Sequence, residues 1–211
     1  MSMQVSGTEG YAEGAEQLIE SWKQISFVEH HGPILHLIPN APANILDIGA
    51  GIGADAAAFA AMGHCVVAVE PTDELRIPGM ALHPSARIEW LDDSLPDLAV
   101  LRARGQTFDV VMLTAVWMHL DALQRPRAMP IVVSLMREGG VMIMSLRQGP
   151  VPQGRRMFDV SAEETVQLAQ AHGLHLLLNM RTESIQPLNR STGVTWTRLA
   201  FARAQQCAST A

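Results

Sequence analysis

Apolar residues fall into short consecutive runs along the chain, separated by stretches with helical spacing. Four runs dominate: Asn44–Ile48, Cys65–Val69, Phe108–Leu113 and Val141–Leu146. They are rich in Val, Ile, Leu and Met at successive positions, which predicts strands covered on both faces, as in a parallel sheet. Weaker strand patterns lie at Ala86–Leu91, Leu174–Asn179 and Val194–Arg203. Helix-like stretches fill the gaps at Ala54–Ala61, Ser94–Arg104, Ala122–Arg137 and Ser161–His172. The alternation predicts a doubly wound α/β domain with right-handed crossovers. The last two strands have no helical pattern between them and are expected to form an antiparallel pair at the sheet edge. Leu18, Ile19, Trp22 and Ile25 have helical spacing, so a helix is expected ahead of the sheet. Gly63, Gly139-Gly140 and Gly173 are placed to close the three main helices. Ser161 followed by Glu164 is a capping-box pattern at the start of the last one.

Composition narrows the class. The chain has 211 residues, 48% of them hydrophobic and 17% charged, which excludes a disordered chain and suits a single domain. Two cysteines, Cys65 and Cys207, argue against a disulfide framework and a structural zinc site. No apolar run reaches the ~20 residues of a membrane helix, and Met1–Glu20 lacks a secretory-signal pattern. A cytoplasmic protein without membrane association is expected. The net charge of −6 supplies no general attraction for nucleic acid.

The most informative segment is Asn44-Ile-Leu-Asp47-Ile-Gly49-Ala50-Gly51-Ile-Gly53-Ala-Asp55, a buried strand running into three alternating glycines and then a helix. Glycines belong there because the turn is tight and a ligand must approach bare backbone. By itself the loop also fits a dinucleotide fingerprint. Glu70 ends the second strand, where a carboxylate can hold both hydroxyls of a ribose. Asp47 stands two residues before the first glycine, where it suits a cationic amino-acid group better than a pyrophosphate.

These segments resemble the motifs of the class I S-adenosylmethionine-dependent methyltransferases. Ile45–Gly53 is similar to that family's first motif and Val66-Val-Ala-Val-Glu70-Pro71 to its second. Leu91-Asp92-Asp93-Ser94-Leu95-Pro96 resembles the third, Phe108–Ala115 the fourth strand, and Met136–Ile143 the approach to the fifth. The resemblance spans residues 43 to 203 in order. It implies a three-layer sandwich: a seven-stranded, mostly parallel Rossmann-like sheet with a C-terminal antiparallel hairpin. Residues 1–42 would form a helical lid over a core of residues 43–211, all one domain. It further implies S-adenosylmethionine as cofactor, leaving S-adenosylhomocysteine as product, at Asp47, Gly49, Ala50, Gly51, Gly53, Glu70, Pro71, Asp92, Asp93, Ser94, Thr114 and Ala115. Asp92 and Asp93 compete for the adenine amino group, with Asp93 preferred, though Asp93 also suits a helix cap. Asp55 and Asp109 read as structural, the former as a helix first-turn acid.

Methyl transfer is an in-line displacement, so positioning supplies most of the catalysis, and a base is needed only where the acceptor must lose a proton. His119, after the fourth strand, is the candidate base; the competing reading is a loop brace. Trp117 is a candidate pocket wall, and Tyr11 a candidate aromatic near the methionine end of the cofactor. The loop Arg147–Phe158 holds three arginines between prolines and glycines. Arg147 and Arg155 are read as a clamp for an anionic group on the acceptor, against the alternative of surface ion pairs. His30-His31 and His36 suggest a metal, but with no acidic or cysteine ligand at useful spacing none is expected. The Asn/Asp-Pro-Pro-aromatic motif of base-directed relatives is absent after the fourth strand.

The expected partner is therefore a small-molecule acceptor, the protein acting as a monomer or homodimer. RNA- or protein-directed methylation and a non-catalytic S-adenosylmethionine-binding module are the alternatives. Short-chain dehydrogenase chemistry is disfavoured, since Tyr11 and Lys23, the one tyrosine and one lysine, both precede the sheet.

Overall fold

The protein is described from a computed structural model covering residues 5–204; Cys207 lies outside the described residues. Ahead of the sheet come α1 (Ala15–Trp22), α2 (Phe27–His31) and a 3₁₀ segment, Gly32–Leu37. The core then alternates β1 (Asn44–Ile48), α3 (Ala54–Ala61), β2 (Cys65–Val69), α4 (Asp73–Leu82), β3 (Ile88–Leu91), α5 (Ala99–Ala103) and β4 (Phe108–Leu113). A 3₁₀ turn, Trp117–His119, leads to α6 (Gln124–Leu135), β5 (Met136–Gln148), α7 (Ala162–Ala171), β6 (Leu174–Glu183), α8 (Pro187–Ser191) and β7 (Thr195–Arg203).

The seven strands form one sheet in the order β3-β2-β1-β4-β5-β7-β6. Neighbours from β3 to β5 are parallel, and β7 runs antiparallel to both β5 and β6. The consecutive apolar runs follow from burial on both faces, because successive side chains alternate sides. Leu46, Ile48, Val67, Val69, Val111 and Leu113 face α6 and α7 in one cluster. Ile45, Val66, Ala68, Val110 and Met112 face Phe59 of α3 and Ile34 of the N-terminal segment in the other. Among the described residues no helix is long and apolar enough to cross a membrane.

Four local expectations change. Gly139 and Gly140 lie inside β5 rather than closing α6, which stops at Leu135. There the β4–β5 register slips between Phe108 and Val110, and a Cβ on Gly140 would sit 2.9 Å from the Arg137 carbonyl oxygen. The pair serves a bulge where backbone approaches backbone. The helix expected from Ser94 begins only at Ala99, because Pro96 and the left-handed Leu98 (φ 43°) intervene. The connection between β6 and β7 carries α8, which is too short to show a period. Helix α4 escapes the sequence pattern because Pro78 stands inside it. The Ser161 cap forms as expected, its hydroxyl accepting from the Glu164 N–H at 3.0 Å. The Glu164 carboxylate instead takes Arg125 Nε at 2.8 Å.

Candidate active site

The strand order reverses direction between β1 and β4, and open α/β sheets bind ligands in the crevice at such a point. A cavity of about 440 Å³ opens there, within the range of small-molecule sites. Its floor is the loop from Gly49 to Ile52. The N–H groups of Gly49 and Ala50 both donate to the Val69 carbonyl, at 2.8 and 3.0 Å, tying the loop to β2. Gly49 has φ 70°, and a Cβ on it would lie 2.4 Å from Val116 Cγ2. Neither the backbone angle nor the space admits another residue. The Trp22 ring of α1 closes over Gly51, 3.0 Å from where a Cβ would stand, so the N-terminal segment lies across the loop.

Two buried carboxylates, Asp47 and Glu70, and the partly buried Asp55 surround this floor. Glu70 accepts the Gly51 N–H on Oε2 at 2.9 Å and the Thr72 N–H on Oε1 at 2.8 Å. Burial raises its pKa against these bonds. Asp47 is 1% exposed, and its Oδ2 has no hydrogen-bond partner. Burial, with the acids Asp55 and Glu70 nearby, pushes its pKa well above the usual carboxylate range. Asp55 is satisfied differently: its Oδ2 accepts from Thr114 Oγ1 at 3.0 Å and meets His31 Nε2 at 2.8 Å. The histidine holds the Asp55 pKa down despite burial. Next to it, burial and the neighbouring His31 lower the His30 pKa to about 4. Donor atoms of His30, His31 and Asp55 lie within 4.8 Å of one another.

At the end of β3, Asp93 lines the cavity, and its two oxygens accept from Ser94 N at 2.9 Å and Leu101 N at 2.8 Å. Asp92 is half exposed and faces Arg76, with N···O 3.5 Å. Beyond β4, Ala115 takes a left-handed φ of 60° and donates its N–H to Ser145 Oγ of β5 at 2.9 Å.

On the far side, His119 Nδ1 lies 2.8 Å from the Arg156 carbonyl. A carbonyl can only accept, so Nδ1 carries the proton and Nε2 is bare. The Tyr11 hydroxyl, 3.0 Å from Nε2, then donates to it. Burial lowers the His119 pKa and pushes the tyrosine up to about 12. The Arg155 guanidinium stacks on the Tyr11 ring, 3.7 Å from its centroid, while its buried Nη1 has no partner. Arg147 donates Nη1 to the Pro150 carbonyl at 2.7 Å. Arg156 is spent on Asp121, at 3.0 Å, and on the Ser6 hydroxyl.

A family model described as "Methyltransferase domain" matches residues 22–182 of this chain. The chain belongs to the methyltransferase family. Structural relatives agree with it. One is the Burkholderia thailandensis 1,6-didemethyltoxoflavin-N1-methyltransferase, solved with 1,6-didemethyltoxoflavin and S-adenosylhomocysteine. It superposes at TM-score 0.73 with 19% identity, covering 92% of this chain and 86% of that one. The N-methyltransferase NodS from Bradyrhizobium japonicum WM9, in complex with S-adenosylhomocysteine, gives 0.66 with 15% identity over 90% and 98%. The [4+2]-cyclase SpnF gives 0.71 with 12% identity over 92% and 94%. At these identities the likeness is one of fold, and the cyclase illustrates that one fold hosts several reactions. No curated protein matches the sequence. This methyltransferase is an enzyme that uses S-adenosylmethionine.

The methyltransferase cavity is lined by Tyr11, Asp47, Gly49, Ala50, Gly51, Glu70, Pro71, Asp93, Ser94, Thr114, Ala115, His119, Arg147 and Arg155 among the residues singled out from sequence. Three lie elsewhere. Trp117 is fully buried in the core beneath α6, because the 3₁₀ turn directs it inward. Gly53 caps α3 and makes room for the Trp90 ring, 2.4 Å from a Cβ position. Asp92 points to Arg76 at the surface. Sequence reasoning missed Asp55, which does stand in the first turn of α3 but also holds His31 and Thr114. It missed as well the cavity-lining Trp22, Trp196 and Arg198. The third donor beside His30 and His31 was invisible because it comes from another element, 24 residues beyond His31.

Proposed function

We propose that this methyltransferase acts on a small-molecule acceptor carrying an anionic group. The observation that carries the reading is the cavity itself: about 440 Å³, lined by residues of the N-terminal segment and by Tyr11, Arg147 and Arg155. A pocket of that size suits a cofactor and a compact acceptor rather than a polymer segment.

The donor set fits S-adenosylmethionine. Asp47 offers a buried, unpartnered oxygen, which a cationic α-ammonium would satisfy. Each oxygen of Glu70 has a lone pair left after its backbone bond, enough for two ribose hydroxyls. Asp93 spends one lone pair per oxygen on backbone, so its remaining capacity and Ser94 are assigned to the adenine end. The preference for Asp93 over Asp92 rests on its place in the cavity wall.

When bound, the cofactor supplies an electrophilic methyl group on a sulfonium. Tyr11 and Arg155 orient the acceptor, and the N-terminal segment excludes water that would compete as nucleophile. Where the acceptor nucleophile carries a proton, the Tyr11 oxygen receives it as the tyrosine's own proton passes to His119 Nε2. His119 thus acts behind Tyr11 rather than directly. Arg147 and Arg155 hold the anionic group.

The test is calorimetric titration with S-adenosylmethionine, S-adenosylhomocysteine and NAD, followed by a turnover screen reading S-adenosylhomocysteine release. Carboxylated acceptors preferred over their amides support the reading. Turnover only with RNA or protein refutes the acceptor class, and binding without any turnover marks a non-catalytic module.

A further inference from the structure

Two arginines are equally withdrawn from solvent, Arg125 at 4% exposure and Arg198 at 5%. Arg125 is fully provided for: Nε donates to Glu164 at 2.8 Å and Nη1 to the Leu120 carbonyl at 2.7 Å. The Arg198 side chain makes no hydrogen bond or ion pair among the described residues, and its Nε is buried without a partner. It stands on β7, paired in register with Ser145 of β5 and Met180 of β6, and its side chain lines the cavity. A permanently charged guanidinium placed there without a counter-ion is costly unless a bound anion completes it.

The surroundings define where that anion sits. Asp55 is close enough to act electrostatically on Arg198, yet its Oδ2 is taken by Thr114 and His31. Asp55 is also the strongest charged influence on Asp47. An unpartnered carboxylate oxygen and an unpartnered guanidinium therefore line the same cavity. The remaining charged neighbour, His30, is kept neutral by burial and His31.

We propose that Arg198 is a carboxylate-binding residue, completed by the carboxylate of a molecule bound in the cavity. With Asp47 lining the same cavity, the two groups match the opposite charges of an α-amino acid, such as the cofactor's amino-acid end; an acceptor carboxylate has the same chemistry. This deepens the cofactor and acceptor reading and rests on it.

Arg198→Met removes the charge and keeps much of the volume. The test titrates the full-length wild type and this variant with S-adenosylhomocysteine and with 5′-methylthioadenosine, which lacks the amino-acid end. It also titrates the S-adenosylhomocysteine-loaded proteins with benzoate and benzamide. A loss of about 10–100-fold for S-adenosylhomocysteine, with methylthioadenosine unchanged, supports the proposal with the cofactor as source. Unchanged cofactor affinity, with a wild-type preference for benzoate over benzamide lost in the variant, supports it with the acceptor as source. Equal losses for both nucleosides, or no loss in either arm, overturn it. Should Arg198→Met not fold, Arg198→Gln is read in the same way. A wild type that ignores S-adenosylhomocysteine strikes the cofactor assignment instead, and benzoate against benzamide on the unloaded protein then decides Arg198 alone.

Discussion

Replacing Asp47 by Asn should make the unliganded protein more stable and its cofactor complex weaker, two effects of opposite sign from one atom. In the folded protein Asp47 is 1% exposed with Oδ2 unpartnered. Its charged neighbours Asp55 and Glu70 repel it, and the Ala56 N–H is the favourable contact. Asparagine keeps an acceptor for that N–H and removes the charge. The amide is still unpartnered on one side, so the gain is removal of the buried charge and its repulsion, and relief of about 1–2 kcal/mol is expected. For a domain of this size that raises Tm by roughly 2–8 °C. The gain depends on pH. A carboxylate whose folded-state pKa is raised destabilises the fold when ionised, so the advantage is present at neutral pH and vanishes as pH falls toward the unfolded-state value. Against this, the lost charge-assisted bond to a cationic ammonium should weaken S-adenosylhomocysteine binding about 10–100-fold. Scanning fluorimetry without ligand and calorimetry with S-adenosylhomocysteine measure the two arms. Wild-type affinity should also rise with pH as Asp47 ionises, whereas the variant's should be flat. A variant that melts lower without ligand, or binds within threefold of wild type, would refute the reasoning.

Glu70→Gln should cost more than an isosteric change suggests, because an amide NH₂ would face the N–H of either Gly51 or Thr72. The expected result is a loss of about 1–3 kcal/mol in stability and a calorimetric loss of adenosine affinity, and an unchanged variant would count against the assignment. Gly49→Ala should destabilise through its positive φ and its 2.4 Å clash with Val116, by roughly 1–3 kcal/mol. Adding Val116→Ala should recover the steric part and leave the backbone strain, which denaturant unfolding of the double variant checks. His30 has a folded-state pKa near 4, below its ordinary 6.5, so the unfolded chain binds the proton first on acidification. Stability should therefore fall by about 2–3 kcal/mol as pH drops from 6.5 toward 4. His30→Asn should lose that portion of the acid sensitivity in pH-dependent urea unfolding.

The sheet was legible because burial on both faces leaves a local mark: Cys65–Val69 is apolar at every position, and Val110–Leu113 is too, whatever packs on them. The glycine loop was legible for a related reason, since only glycine tolerates the backbone angle and clearance at Gly49. Asp47 and Glu70 could be located because their place is relative to strand ends within the same segment. Helix α4 was not, because its stability comes from packing that overrides Pro78.

What pairs with what across the site belonged to the tertiary structure alone. Arg156 meets His119 across 37 residues and sets the histidine's tautomer, and Tyr11 meets its other nitrogen across 108 residues. Trp117 read as a pocket wall, yet a single 3₁₀ turn sends it into the core. Arg198 lies in the weak strand pattern Val194–Arg203, and insertion of β7 between β5 and β6 carries it into the cavity. The sequence by itself determined the layers and the loop, because these depend on periodicity and backbone freedom within a few residues. The partners of each buried charge depend on which distant strands become neighbours, and only the folded topology decides that.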